Sequence, residues 1–264
     1  TVGYSANALG GAGGPLAVLI IAIVAAELGK AVSKETKVDI LVTPLVTIFA
    51  GVGLSMLIAA PIGAAASQVG TLIMWATEQA PLVMGILVSV IVGVALTLPI
   101  SSAAICAALG LTGLAGGAAV AGCCAQMVGF AVMSYKENGV GGLVSQGLGT
   151  SMLQMGNIIK NPRIWIAPTL ASAITGPLAT CLFHFEMNGA AVSSGMGTCG
   201  LVGQIGVYTG WVSDIAAGTK AAITPMDWVA MVLLCFVLPA VLSVVFCEVE
   251  RKLGWIKEGD LKLN

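Results

Sequence analysis

The sequence has few charges, few aromatic side chains and a single histidine. Charged residues make up 9% of the 264 residues and aromatic residues make up 5%. A soluble globular domain carries about 25% charged residues, so this composition excludes an ordinary soluble protein. The formal net charge of −1 leaves no basic excess. Nucleic acid is therefore not an expected partner.

The sequence also lacks the motifs of catalysis and metal binding. The seven cysteines include no CxxC pair and show no disulfide-framework spacing, so we interpret them as small buried apolar residues. One histidine is too few for a typical metal site, and the glycine run at 10–14 lacks the lysine and hydroxyl residue of a phosphate loop. We therefore expect no metal and no cofactor, and an enzyme ranks third among the possible functions.

The sequence contains long uncharged stretches in place of such motifs. Hydrophobic residues make up 58% of the chain, and neither residues 40–77 nor residues 79–135 include a charge. About 20 apolar residues span a bilayer as a helix. The sequence thus predicts an all-α polytopic membrane protein with at least six crossings, and an interfacial segment at 67–79. The predicted crossings cover about 15–32, 40–66, 81–98, 113–134, 164–183 and 228–247.

Nine of the eleven basic residues fall in three clusters, which predict the topology. The clusters lie at 30–37, at 160–163 and in the charged tail 248–264. Lysine and arginine beside crossings mark the cytoplasmic side, so all three clusters are placed inside and residues 184–227 outside. We expect one transmembrane domain over 1–264 with a cytoplasmic tail, and, because Thr1 is not a methionine, a missing N-terminal segment. The number of crossings between Leu98 and Lys160 stays open.

Two polar, glycine-rich segments resemble each other. The pattern Gly-(Leu/Met)-Gly-Thr-(Ser/Cys)-x-Leu occurs at 147–153 and at 195–201, each time after an acidic residue and Asn-Gly. Irregular backbone within a membrane is tolerated only where it is buried or lines a wet cavity. Interrupted segments in corresponding places indicate the binding site of a transporter. We predict two re-entrant or broken segments that face one shared cavity; the alternative is two loops on the membrane surface.

Polar residues in and beside these segments are the candidate solute ligands. Amide and hydroxyl groups bind a neutral solute without the cost of a buried charge. For each amide, a hydrogen bond between helices is the alternative role, and His184 could instead face lipid headgroups. The candidate substrate-binding residues are Thr150, Gln154, Asn157, His184, Glu186, Asn188, Thr198 and Gln204. The glycines expected to be critical for the backbone are Gly147, Gly149, Gly195 and Gly197.

One acidic residue lies inside a predicted crossing. Glu27 precedes Lys30 by three residues near the end of the first crossing. An acid within a membrane is a functional candidate by default. The alternative is that Glu27 sits at the helix end and pairs with Lys30.

Three runs of the sequence resemble a known family. VSKETKVDILVTPLVTI at 32–48, NPRIWIAPTLASAITGPLAT at 161–180 and GMGTCGLVGQIG at 195–206 are similar to the enzyme IIC-like integral membrane family of the bacterial phosphotransferase system. The resemblance extends from about Gly3 to Trp211, and it is to the compact branch without attached phosphocarrier domains.

The resemblance implies a sugar transporter of the bacterial inner membrane. It implies a homodimer with re-entrant hairpins around the substrate, and phosphorylation that needs separate phosphocarrier proteins. Sugar-transporting members use a glutamate and a histidine near the substrate. Here His184 and Glu186 are the nearby pair, although their two-residue spacing does not establish equivalence.

Two hypotheses about function follow from the sequence. The first is transport of a small polar solute, with a sugar as one candidate, by alternating access about a site near the membrane midplane. The second is a membrane sensor or binder of a lipid-like molecule, since glycine and methionine also suit an apolar pocket. Hydroxyl groups bound at the glycine-rich segments would favour the first, and an acyl chain open to the membrane lipid would favour the second.

Overall fold

The computed structural model describes residues 14–34 and 38–263, and within these ranges the chain is helical without β-strands. Lys37 and residues 10–13 of the glycine run lie outside the described residues. The helices are α1 (Gly14–Val32), α2 (Asp39–Gln79), α3 (Pro81–Thr97), α4 (Ser102–Leu109), α5 (Gly113–Met133), α6 (Tyr135–Val144), α7 (Met155–Lys160), α8 (Ile166–Pro177), α9 (Val202–Ala216), α10 (Pro225–Val232) and α11 (Leu238–Lys252).

Four helical stretches of the described chain are long and apolar enough to cross a membrane. They are Asp39–Gln79, Gly113–Met133, Pro162–Leu182 and Pro225–Lys252, and α3 is a shorter apolar helix. The second and third of these begin and end close to the predicted crossings. The helices agree with the predicted all-α membrane fold, whereas the predicted number of at least six crossings is not confirmed.

Helix α2 is longer than its predicted crossing. The sequence predicted an end near residue 66, but the helix continues through Pro61 to Gln79. Its hydroxyl side chains donate back to the helix: Thr71 Oγ1 bonds Ser67 O at 3.0 Å and Thr77 Oγ1 bonds Ile73 O at 2.7 Å. Because these hydroxyls find partners within the helix, polar residues at 67–79 do not force the helix to end.

The chain divides into two compact units. One comprises the described residues up to Thr71 together with residues 107–109. In it, Ala17 and Ile21 of α1 are buried with Ala59 of α2. Glu27 Oε2 lies 3.7 Å from Lys30 Nζ, and both side chains are mostly exposed. The contact supports the interpretation of Glu27 as a helix-end residue, and an exposed pair of this kind contributes little stability.

The other unit comprises residues 72–106 and 110–263 and is built around α5. Helices α3, α8 and α11 pack on α5, which is almost entirely buried. A Cβ atom on Gly93 of α3 would lie 2.8 Å from the carbonyl oxygen of Gly122 in α5. Glycine is thus required there for close contact between the two helix backbones, the usual means of helix association in lipid.

A buried glutamine joins the helices at the centre of this unit. Gln126 Oε1 accepts hydrogen bonds from Thr97 Oγ1 at 3.3 Å and from Trp165 Nε1 at 3.0 Å. Its Nε2 donates to Thr169 Oγ1 at 3.3 Å. The side chain is fully buried, and these bonds offset the cost of burying its amide.

Both glycine-rich segments have irregular backbone. The first passes through a π turn at Ser145–Gly149, an extended Thr150 and a 3-10 turn at Ser151–Gln154. The second contains 3-10 turns at Ala191–Gly195 and Cys199–Leu201. The interruptions agree with the glycine content of the two segments. Whether the segments re-enter a membrane stays a prediction.

Candidate functional site

The second unit contains a cavity of about 530 Å³ at the end of α8. This volume lies in the range of about 300–1,000 Å³ that is typical of small-molecule sites. Its walls come from the chain after α8, the second half of α9, the loop that follows α9 and the first turns of α10. The lining residues are Leu182, Phe183, His184, Phe185, Glu186, Asn188, Trp211, Asp214, Thr219, Lys220, Met226, Asp227 and Ala230.

An extended stretch after α8 places polar side chains in this cavity. The chain leaves the helical conformation at His184, whose φ is 44°, and Met187 then exchanges two backbone hydrogen bonds of 3.0 Å with Gly113. Phe185 and Met187 are buried in the core, whereas His184 and Glu186 are exposed. Since successive side chains of an extended chain point to opposite sides, apolar and polar residues separate here.

Asn188 connects two acidic side chains of the cavity. Its Nδ2 donates to Glu186 Oε2 at 3.0 Å and to Asp214 Oδ2 at 2.9 Å. Its Oδ1 accepts from the Gly113 amide at 3.1 Å, which fixes the orientation of the side chain. Two carboxylates are thereby held on one amide nitrogen, and each has remaining capacity to accept further hydrogen bonds.

Among the described residues, Lys220 is the only lysine that lines the cavity. Its Nζ lies 2.7 Å from Asp227 Oδ1 and 5.4 Å from the ring centre of Trp211. Asp227 also closes a capping box with Thr224 at the start of α10. The lining thus has three carboxylates, Glu186, Asp214 and Asp227, and one ammonium group. This excess of acid favours neutral or cationic ligands over anionic ones.

The structure places three of the eight predicted site residues in this cavity: His184, Glu186 and Asn188. Thr150 instead caps the following turn and accepts from the Met152 amide at 3.1 Å. Thr198 Oγ1 donates to Gly147 O at 2.5 Å, which joins the two glycine-rich segments. Gln204 Nε2 donates to Cys124 Sγ at 3.2 Å, and its buried Oε1 has no partner among the described residues.

Gln154 and Asn157 contact the C-terminal tail. Gln154 Nε2 donates to Gln146 Oε1 and to Leu261 O, both at 2.9 Å. Asn157 Nδ2 donates to Gln154 Oε1 at 2.8 Å and to Lys262 O at 2.9 Å. These two amides therefore hold the tail, and neither lines the cavity around Asn188. That the two glycine-rich segments share a solute cavity stays a prediction.

The four glycines predicted to be critical differ in their surroundings. A Cβ atom on Gly195 would lie 2.5 Å from Ser102 O, and one on Gly197 would lie 2.8 Å from the Cys123 carbonyl carbon. Gly197 also has a φ of +53°. A Cβ atom on Gly147 would have its nearest neighbour at 3.4 Å, and one on Gly149 would have none within 4 Å. Only Gly195 and Gly197 of the four are thus required by close contact.

Comparison with known families identifies the chain. The family model described as "Phosphotransferase system, EIIC" matches residues 2–263. The chain belongs to the EIIC family of the phosphotransferase system. No curated protein and no solved structure matches it. The resemblance found in the sequence is confirmed over a longer span than the one on which it was based.

Family membership identifies this EIIC protein as a membrane component of a transport system that cooperates with other proteins of the phosphotransferase system. The apolar helices agree with a membrane location. The identity of the solute, the bacterial inner membrane and the homodimer stay predictions.

Sequence reasoning missed the residues that complete the cavity: Trp211, Asp214, Lys220 and Asp227. A signal was present, because three charges within residues 214–227 are unusual in a chain with 9% charged residues. The predicted outer location of the segment does not by itself indicate what its charges bind. Asp214 is 26 residues from Asn188, and only the fold brings the two together.

Proposed function

We propose that this EIIC protein transports a small neutral solute rich in hydroxyl groups, such as a sugar, and that the cavity around Asn188 is its binding site on the outer side. The observation that carries the proposal is the bonding of Glu186 and Asp214 to one amide of Asn188 in a cavity of about 530 Å³. Carboxylates accept hydrogen bonds from hydroxyls, and Lys220 can donate to hydroxyl oxygens. The cavity thus provides both partners that a polyol needs.

The charge of the cavity supports a neutral solute. A phosphorylated sugar would bring negative charge next to Glu186, Asp214 and Asp227, against the single ammonium of Lys220. Like charges in a partly enclosed cavity repel each other. A neutral sugar entering from outside avoids this repulsion, and we propose that phosphoryl transfer occurs at the other side of the membrane, from separate phosphocarrier proteins.

A lipid-like ligand is less well supported. An acyl chain in this cavity would cover the carboxylates of Glu186 and Asp214 without offering them hydrogen bonds. Removing charged groups from water without compensation costs several kcal/mol per group. We therefore prefer a solute whose hydroxyl groups replace the lost water.

Passage through the protein needs polar groups beyond this cavity. We propose Thr198 and Gln204 as later contacts of the solute, because the buried Oε1 of Gln204 has no donor among the described residues. Thr150 lies in the adjoining glycine-rich segment and is proposed with them. We further propose that the protein acts as a homodimer in the bacterial cytoplasmic membrane.

The experiment is a thermal-unfolding screen of the purified full chain in detergent. A ligand that binds the folded state raises the apparent melting temperature as its concentration rises. The panel holds neutral sugars, the phosphate esters of the same sugars, and fatty acids. The proposal predicts stabilisation by at least one neutral sugar and none by its phosphate ester. Stabilisation by fatty acids alone would favour the lipid-binding hypothesis and overturn the proposal.

A further inference from the structure

A second, smaller pocket lies where two apolar helical stretches end. It has a volume of about 190 Å³ and is lined by Asn157, Lys160, Asn161, Gly259, Asp260 and Lys262. Asn161 immediately precedes the candidate span Pro162–Leu182, and the tail residues follow the candidate span Pro225–Lys252. We therefore expect the pocket at the level of lipid headgroups, on the side that basic residues predict to be cytoplasmic.

The tail wall of the pocket is held by side-chain amides. Asn157 Nδ2 donates to Lys262 O at 2.9 Å, and Asn161 Nδ2 donates to Trp255 O at 2.9 Å. Asn161 Nδ2 also donates to Asp260 Oδ2 at 2.8 Å, and the Lys257 amide donates to the same oxygen at 2.9 Å. Two donors on one carboxylate oxygen reduce the ability of Asp260 to repel an anion.

Among the residues that the structure describes, the lysines of the pocket have no acidic partner. Within the described ranges, the ion pairs involve three other lysines and Arg251, and neither Lys160 nor Lys262 takes part in one. Arg163 adds a further positive charge nearby and lies 5.7 Å from the ring centre of Trp255. Two free ammonium groups beside one carboxylate leave a net positive pocket, which suits a phosphate group.

We propose that this pocket binds the phosphate of an anionic phospholipid headgroup. Its surroundings favour a lipid over a soluble phosphate ester, because Ile159, which precedes Lys160, and Trp255, whose carbonyl accepts from Asn161, are exposed apolar or aromatic residues. Tryptophan is enriched at membrane interfaces, and basic pockets on the cytoplasmic side attract anionic headgroups. The ligand would connect α7 with the tail and so stabilise the contact that Gln154 and Asn157 make.

The test compares variants of the purified full chain in thermal-unfolding titrations with short-chain phosphatidylglycerol, short-chain phosphatidylcholine and inorganic phosphate. The double variant Lys160→Gln, Lys262→Gln removes the two ammonium groups. Lys252→Gln is the matched control, since this exposed lysine lies on the same predicted side but does not line the pocket.

The proposal predicts that phosphatidylglycerol raises the melting temperature of the native chain and the control in a saturable way, whereas phosphatidylcholine does not. In the double variant the concentration for half of this effect should rise about tenfold or more, because two charge-assisted contacts are lost. An unchanged response of the double variant would overturn the site. An equal effect of inorganic phosphate and phosphatidylglycerol would overturn a lipid as the source of the phosphate.

Discussion

The hydroxyl of Thr198 donates to the backbone carbonyl of Gly147 at 2.5 Å, and this bond connects the two glycine-rich segments. Gly147 is the first residue of the repeated pattern in one segment, and Thr198 is the fourth residue of the pattern in the other. Thr198 Oγ1 also lies 3.6 Å from Met127 Sδ in α5. The repeated segments thus meet each other and the central helix at one place, which makes this contact a means of keeping their irregular backbones in position.

Replacing Thr198 by valine should therefore destabilise the protein. Thr198→Val keeps the side-chain shape but leaves the Gly147 carbonyl without this donor, and such a loss costs about 1–3 kcal/mol. The measurement is thermal unfolding of the purified chain. Thr209→Val is the control, because the exposed Thr209 only bonds the Gly206 carbonyl of its own helix. Equal melting temperatures for both variants would contradict a joining role for Thr198.

Gly197 should not tolerate a side chain. Its φ is +53°, and a Cβ atom would lie 2.8 Å from the Cys123 carbonyl carbon. Gly200 has the same φ, but its Cβ would have its nearest neighbour at 3.8 Å. Gly200→Ala should thus show only the conformational cost of about 1–2 kcal/mol, and Gly197→Ala should cost clearly more.

The measurement for the glycines is again thermal unfolding, followed by solute binding of any variant that folds. Gly197→Val should lose binding even where folded protein persists, because α5 and the second segment must separate to accept the larger side chain. Binding of Gly197→Val at the native level would show that this segment is an ordinary surface loop.

The tail should detach when its amide contacts are removed. Gln154→Ala takes away the donor to the Leu261 carbonyl and the acceptor for Asn157. We expect proteolysis after residue 252 to become faster at low protease concentration, because the open form is more populated. Gln68→Ala, an exposed glutamine of α2, is the control and should behave like the native chain. Equal cleavage rates would contradict the docking role of Gln154.

The loop at Lys34 should be cytoplasmic. A cysteine placed at Lys34, in a background where Cys181 and Cys199 are replaced by serine, should resist an impermeant maleimide in intact cells. Ala221→Cys in the same background should react, because residues 184–227 are predicted outside and Ala221 is exposed. Reaction at Lys34→Cys as strong as that at Ala221→Cys would overturn the topology.

The sequence predicted the all-α class and part of the candidate site, but not the full length of α2 or the helix α9. Composition and uncharged stretches predicted the membrane fold, and His184, Glu186 and Asn188 were found because they share one short polar segment. Asp214 lies beside them because of the tertiary fold, in which Met187 pairs with Gly113 and Asn188 contacts Asp214. No local sequence pattern indicates these contacts. The amides at 154 and 157 bind backbone carbonyls of the tail, and backbone acceptors carry no sequence signal.

The cavity around Asn188 is the proposed solute site, and a substitution at Asp214 tests this assignment most directly. Asp214→Asn removes one carboxylate while it keeps the size of the side chain, and Glu78→Gln does the same to an exposed acid that does not line the cavity. The measurement is the dissociation constant of whichever neutral sugar stabilises the native protein. We expect Asp214→Asn to bind the sugar about tenfold or more weakly, since a hydrogen bond to a charged group is worth roughly 1.5–3 kcal/mol. Glu78→Gln should bind it with native affinity. Native affinity in Asp214→Asn, with the folded protein intact, would contradict the assignment of this cavity as the solute site.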